Sequence, residues 1–205
     1  MQQSSFILGA ALLLLATSPA LASGEWEELH GCRLLPQESN DGDSFHAEHN
    51  GKEYIFRLYF VDCPETNDEY PERLADQAEH FNTTPERVKT IGLKAKAATA
   101  ELLSDGFMAV TRWQEAGGRS NLARYYAFIF IDGQDSNVPA DLNAVLVANG
   151  LARVHGVKAK PPGVGLSAAD LQDTYADIEQ EAKREGVSAW GSGDEIDLAA
   201  ATSRK

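Results

Sequence analysis

Four acidic side chains lie at the ends of short apolar stretches, where they could bind a metal ion or activate water. Asp41 and Asp43 precede one predicted strand, Asp62 follows the next strand, and Glu65 comes three residues later. Because a hairpin brings the start of its first strand near the end of its second, the carboxylates of Asp43 and Asp62 can converge. Converging carboxylates without a Cys or His set suit calcium or magnesium. Acidic residues also cap turns, and that alternative stays open at this point.

Two arginines lie in stretches that are otherwise apolar. Arg57 interrupts the run from Tyr54 to Val61, and Arg124 precedes an apolar run at 125–130. A guanidinium in such a place needs an anionic partner, either an internal carboxylate or a phosphate. Arginines combined with converging acids are typical of metal-assisted phosphoryl transfer, in which they stabilise the developing charge. Internal salt bridges are the alternative.

Period-two alternation from Ser44 to Val61, interrupted by Asn50-Gly51, predicts a β-hairpin that would position these groups. Two further strands are predicted at 107–113 and 122–131.

Helical spacing predicts helices at 91–102, between 139 and 150, and from 167 to 186. Residues 62–89 are polar and contain three prolines, so they predict a long loop with one short helix. The pattern predicts the α+β class, as a small barrel with packed helices.

Several segments, in this order, closely resemble the staphylococcal nuclease family. The most specific is Phe-Arg-Leu-Tyr-Phe-Val-Asp-Cys-Pro-Glu-Thr at 56–66, and residues 40–44, 122–127, 143–154 and 181–190 continue the resemblance. The resemblance implies a five-stranded OB-fold barrel with three helices. It also implies calcium-dependent hydrolysis of DNA and RNA phosphodiester bonds, with 3′-phosphate products.

The resemblance also implies roles for individual residues. Asp43, Asp62 and the backbone carbonyl of Cys63 resemble calcium ligands. Glu65 resembles the group that positions or deprotonates the attacking water. Two further residues, Asp41 and Ser44, would act through water in the second shell around the ion, whereas Arg57 and Arg124 would bind the scissile phosphate.

Length and charge limit the classes of protein that are possible. The chain has 205 residues, of which 31 are acidic and 18 are basic, and its formal net charge is −13. That length suits one domain with its own hydrophobic core. The acidity argues against coating nucleic acid through bulk positive charge, although a local basic site remains compatible with it.

The N-terminal residues resemble an export signal. They contain an uncharged apolar run and a small-x-small sequence at 20–22, and the run is too short for a membrane helix. We expect a signal peptide at 1–22, with an uncleaved anchor as the alternative, a nuclease-like domain at 23–190 and a flexible tail at 191–205. The expected product is a secreted or periplasmic monomer without stable membrane association.

Export also bears on the two cysteines, Cys32 and Cys63. Outside the cytosol they could oxidise to a disulfide, and two unpaired thiols are the alternative.

Three functional classes follow. The first is an exported calcium-dependent nuclease acting on DNA, RNA or both. The second is a non-catalytic OB-fold module that binds nucleic acid or protein. The third is a secreted domain in which the acids only hold an ion. The five side chains that degenerate members of the family lose are present here, which favours the first.

Overall fold

The computed structural model describes residues 24–118, 121–131, 139–163, 165–191 and 198. The predicted signal peptide at 1–22 and nearly all of the predicted tail at 191–205 therefore lie outside the described residues. The strands are β1 (Glu27–Leu34), β2 (Ser44–His49), β3 (Lys52–Leu58), β4 (Val61–Asp62), β5 (Phe107–Glu115), β6 (Arg124–Ile131), β7 (Ala140–Asp141) and β8 (Arg153–Val154). The helices are α1 (Pro71–His80), α2 (Pro85–Leu102), α3 (Leu142–Ala148), α4 (Ala168–Glu185) and a 3₁₀ turn at Ser188–Trp190.

Five of the strands close into a barrel. Their order is β3-β2-β1-β5-β6 with antiparallel neighbours, and a parallel pairing of β3 with β6 closes the cylinder. Strand β7 pairs with β6 in antiparallel orientation, and β4 forms a separate antiparallel pair with β8. The predicted α+β class and five-stranded OB-fold barrel are confirmed.

The hairpin of β2 and β3 has the predicted turn. Asn50 and Gly51 both have positive φ angles, of 52° and 76°, which a two-residue hairpin turn of this hand requires. The resulting register pairs Ser44 with Arg57, so Asp43 lies beside the end of β3.

A sharp turn follows β3. The side chain of Phe60 is buried, and its backbone has a positive φ of 63°. Its main chain is held by hydrogen bonds from Phe60 N to Val157 O and from His155 N to Phe60 O. Asp62 comes directly after this turn.

The segment at 62–89 differs from the prediction. It contains the whole of α1 and the start of α2, which is more helix than the one short helix predicted here. The described ranges therefore hold four α-helices, where the resemblance implied three. Pro71 and Pro85 lie at the first turns of the two helices, where a missing N–H costs nothing, and Thr84 caps α2 by accepting a hydrogen bond from Arg87 N. These prolines begin helices instead of breaking them.

The two later helices follow the prediction. Helix α3 begins after the capping residue Asp141. Helix α4 has a capping box between Ser167 and Asp170 and ends at Gly186 in the left-handed conformation. No helix in the described ranges is long and apolar enough to cross a membrane.

The two cysteines are separate buried thiols, so the predicted disulfide is not formed in the structure. The Cys32 thiol, on β1, donates a hydrogen bond to Leu29 O. Cys63 instead packs against Gly42, where an added Cβ would lie 2.6 Å from its sulfur. The two side chains are directed at different elements of the core.

Candidate active site

Arg57 links the two predicted carboxylate ligands. Its Nη2 atom lies 3.1 Å from Asp43 Oδ2 and 3.1 Å from Asp62 Oδ1. Both aspartates are almost completely buried, at 2% and 3% exposure, and the arginine side chain is 15% exposed. The hairpin register and the turn after β3 thus bring together three groups that the sequence singles out.

Asp62 accepts hydrogen bonds from four donors. Arg57 and Arg73 both contact Oδ1, at 3.1 and 2.8 Å, whereas Gln77 Nε2 and Arg153 Nε contact Oδ2, at 2.9 and 3.0 Å. Arg153 also pairs with Asp76 at 2.7 Å. The carboxylate of Asp62 is therefore fully engaged by the protein.

The side-chain amide of Gln77 organises the segment from 62 to 65. It is fully buried, and in addition to Asp62 its Nε2 donates to the carbonyl oxygen of Cys63 at 3.0 Å. Its Oε1 accepts from Glu65 N at 2.8 Å. The Glu65 carboxylate then pairs with Arg73 Nη2 at 2.9 Å. One helix, α1, therefore holds both the main chain and the side chains of this segment.

Helix α2 supports the same residues from the other side. A Cβ on Gly92 would lie 2.4 Å from Glu65 O and 2.5 Å from Pro64 O, so the loop packs directly on the helix backbone. Thr99 Oγ1 donates to Gly42 O at 2.8 Å and holds the turn before β2. Only glycine at position 92 permits this close approach.

Arg124 approaches from β6. Its Nη1 donates to Ser44 Oγ at 3.2 Å, and its Nε donates to Gly117 O at 2.9 Å. The Oδ1 atom of Asp41 accepts from the main-chain N–H of Asp43 and of Ser44. For Asp41, the turn-capping interpretation describes the geometry.

An open cleft of about 570 Å³ connects these groups. Its lining includes Asp43, Arg57, Glu65, Arg73 and Arg124. The predicted catalytic and metal-binding side chains thus face one space, apart from Asp62, which lies behind Arg57 and Arg73.

Burial and charge shift the pKa values in opposite directions within the cluster. Burial, reinforced by Asp41 and Asp62, raises the pKa of Asp43 to about 8 despite Arg57. Burial would also raise the pKa of Asp62, but Gln77 and three arginines outweigh it and keep that pKa below its usual value. Burial raises the pKa of Glu65 in spite of Arg73. Burial is therefore the main cause of the raised pKa values of Asp43 and Glu65, whereas the donors around Asp62 outweigh it.

The donor chemistry suits a hard cation, but the contacts match the expected ligand set only in part. Asp43 and Asp62 converge on one point, as two ligands of one ion must, and Arg57 Nη2 fills that point. The third expected ligand, the Cys63 carbonyl, is engaged by Gln77. Among the described residues, no group of three or more His, Cys, Asp or Glu side chains is arranged to hold a metal ion.

Sequence reasoning missed three residues of the cluster: Arg73, Gln77 and Arg153. Arg153 lies in Leu-Ala-Arg-Val at 151–154, so an arginine among apolar residues, the signal that identified Arg57, could have found it. Arg73 and Gln77 lie on α1, in the segment that was predicted as a long loop with one short helix, and no local pattern marks them.

These features define a class: an OB-fold barrel with an acid and arginine cluster in a cleft beside β2 and β3. The sequence model of staphylococcal nuclease homologues matches residues 55–192, more than half of the chain. The chain belongs to the staphylococcal nuclease family. It is similar to the uncharacterized protein MJ1439 of Methanocaldococcus jannaschii, with 31% identity over 153 residues that cover 73% of this chain and 67% of that protein.

Proposed function

We propose that the protein is a calcium-dependent nuclease that hydrolyses phosphodiester bonds of DNA, RNA or both and leaves 3′-phosphate ends. One observation carries the proposal: Asp43, Arg57, Glu65 and Arg124 come from separate parts of the chain and line one cleft. That combination suits the binding and hydrolysis of a phosphodiester because it offers cations to the phosphate and a carboxylate to the water.

The arginines bind the scissile phosphate. Arg124 is held by Ser44 and the Gly117 carbonyl, so its guanidinium is oriented before the substrate arrives. Arg57 pairs with Asp43 and Asp62 where the ion would lie, and it would turn to the phosphate when the ion binds. A preorganised guanidinium stabilises the charge that develops on the phosphate oxygens without reorganisation during the reaction. Arg124 also assists the leaving oxygen.

Glu65 positions or deprotonates the attacking water. Its side chain is 16% exposed at the cleft, and its main chain is held by Gln77 and packed on Gly92. A water molecule must meet the phosphorus in line with the leaving oxygen, so a carboxylate on a fixed loop is suited to this role.

Calcium would be held by Asp43, Asp62 and the Cys63 carbonyl, and when bound it would neutralise phosphate charge and orient water. The oxygen-only donors support this assignment. We further propose that the protein is exported to the periplasm or the medium and acts as a monomer; the uncharged apolar run near the N-terminus supports export.

Plasmid degradation tests the proposal. We expect the purified protein to cleave DNA with calcium, to stop in excess chelator, and to lose at least about 10³-fold in rate as Arg124→Ala, the range measured for phosphate-binding arginines. Calcium binding without cleavage would instead support a domain that only holds an ion.

A second candidate is a non-catalytic module that binds nucleic acid or protein. The observation that favours it is the full engagement of Asp62 by Arg57, Arg73, Gln77 and Arg153, which balances this carboxylate without a metal ion. Oligonucleotide binding that persists in chelator, with no cleavage under any condition, would support this candidate.

A further inference from the structure

We propose that Arg73 is a third phosphate-binding arginine, which contacts the backbone of the nucleic acid alongside Arg57 and Arg124. The inference rests on the proposed function and extends it, because Arg73 had no assigned role. The ligand class is a nucleic acid whose backbone phosphates enter the cleft.

The guanidinium of Arg73 has spare donors at the cleft. A single nitrogen, Nη2, makes both of its ion pairs, at 2.8 Å to Asp62 Oδ1 and 2.9 Å to Glu65 Oε1. Its Nε and Nη1 atoms donate to no residue in the described part of the chain. The side chain is 45% exposed and lines the cleft with the two other arginines. These N–H groups are positioned to donate hydrogen bonds to an incoming phosphate.

Arg153 shows the difference between a structural and a substrate-binding arginine. Its side chain is only 6% exposed, and its pairs with Asp62 and Asp76 hold it behind the cluster. Arg73 contacts the same aspartate from the open side. If Arg73 turns toward a phosphate, Asp62 still keeps Arg57, Gln77 and Arg153 as donors. The Arg73 side chain is nearly half exposed, and Asp62 keeps its other donors, so this exchange leaves no buried carboxylate unpaired.

The base of the Arg73 side chain is firmly held. Within α1, Leu74 and Ala78 pack with Val88 of α2 in a small buried cluster, and Gln77 is fully buried against the site. The helix therefore presents the guanidinium from a rigid support, whereas the guanidinium itself can move. Rigid support reduces the entropy lost when the arginine binds a phosphate.

The salt dependence of binding distinguishes a phosphate contact from a structural role. We would titrate a fluorescein-labelled single-stranded phosphorothioate oligonucleotide, which keeps its charge and resists cleavage, against the full chain in calcium at several salt concentrations. For Arg73→Gln we expect an affinity about tenfold lower and a slope of log affinity against log salt that is shallower by about 0.7, the value for one lost phosphate contact on a single strand.

Arg184→Gln is the matched control. Arg184 is an exposed residue of α4 that pairs with Glu181, so its replacement changes the net charge equally without altering the cleft. We expect its salt slope to equal that of the wild type. If Arg73→Gln does not fold, Arg73→Lys tests the role of Arg73 instead. Lysine keeps the positive charge but lacks the planar guanidinium, so we expect a several-fold loss of affinity with an unchanged salt slope.

The outcomes separate this inference from the proposed function. An unchanged slope for Arg73→Gln, or unchanged affinity for Arg73→Lys, overturns the role of Arg73 even if the protein cleaves DNA. A shallower slope supports the role even if cleavage is never observed. No binding by the wild type in calcium overturns both.

Discussion

At the scale of single residues, Gln77 explains how the site keeps its shape. Its amide contacts Asp62, the Cys63 carbonyl and the Glu65 N–H, so one uncharged group fixes three points of a four-residue segment. An amide is suited to this position because it donates and accepts at once, and the Gln77 side chain is itself fully buried.

Replacement of Gln77 by leucine removes these contacts at similar volume. Each buried polar group left without a partner costs about 1–3 kcal/mol, so we expect the free energy of unfolding to fall by at least about 2 kcal/mol. Urea denaturation measures the change. Gln37→Leu, at an exposed position, is the control and should be close to neutral. A Gln77→Leu variant as stable as the wild type would contradict the role given to this amide.

Part of the cluster was predictable at this scale because the signals are local. An arginine in an apolar strand and an acid at a strand end are visible in the sequence, and Arg57, Asp43 and Asp62 meet as expected. Gln77 and Arg73 are not visible in this way, because their roles depend on how α1 packs across the loop.

At the scale of elements, the loop that bears Glu65 rests on α2 at Gly92. The main-chain oxygens of Pro64 and Glu65 approach so closely that no side chain fits between them and the helix. Helix α2 therefore sets the depth of Glu65 in the cleft.

Gly92→Ala must push this loop away from the helix. We expect a loss of about 1–3 kcal/mol in the free energy of unfolding from overpacking. We also expect the cleavage rate to fall by at least about 10²-fold, since small displacements of a positioned group cost that much. Gly165→Ala, where the added methyl group meets open space, is the control. Normal activity of Gly92→Ala would show that the position of Glu65 is not critical.

The link between α3 and α4 gives a pH dependence of stability. Asp141 caps α3 and accepts a 2.5 Å hydrogen bond from Tyr175 Oη of α4. Burial raises the pKa of Asp141 from 3.8 to about 6, despite that hydrogen bond. Between pH 4 and 6 the folded state then binds more protons at this group than the unfolded state, so its contribution to stability falls as the pH rises.

Asp141→Asn should remove this dependence while keeping the cap. We expect the stability of the wild type relative to the variant to increase as the pH is lowered from 7 to 4.5, as measured by thermal or urea unfolding at each pH. A difference that is constant over this range would contradict a raised pKa at Asp141.

Two elements show why sequence patterns failed locally. Strand β1 was not predicted because Gly31 has a φ of 71° and the register shifts between Leu29 and Cys32, so the buried residues lie three apart rather than two. The position of α1 and the first residues of α2 were missed because Pro71 and Pro85 were interpreted as breakers, although they mark first turns. Both errors come from single residues whose effect depends on their position in the element.

At the scale of the whole molecule, the state of the two cysteines shows whether the core is held by packing alone or also by a disulfide. Cys32 and Cys63 are both buried, and burial raises the pKa of Cys32 to about 11 and that of Cys63 well above its usual value. We expect Ellman's reagent to titrate no thiol in the native protein and two in denaturant, without prior reduction. Two thiols that appear only after reduction would mean that the bridge forms in solution.

Because the overall charge is −13, binding of a polyanion would depend on the arginines of the cleft. A polyanion approaching the protein is repelled at long range, and attraction depends on the local positive charge of Arg57, Arg73 and Arg124. Composition alone argues against nucleic-acid binding, and only the arrangement of these side chains in three dimensions shows where it could occur.

The central claim is that this cluster hydrolyses phosphodiester bonds, and the ends of the products test it most directly. Mass spectrometry of an oligonucleotide incubated with the protein and calcium should show 5′-hydroxyl and 3′-phosphate ends, which should be absent with chelator and with Arg124→Ala. An intact oligonucleotide in calcium, or the same products from Arg124→Ala at an equal rate, would contradict hydrolysis by this cluster.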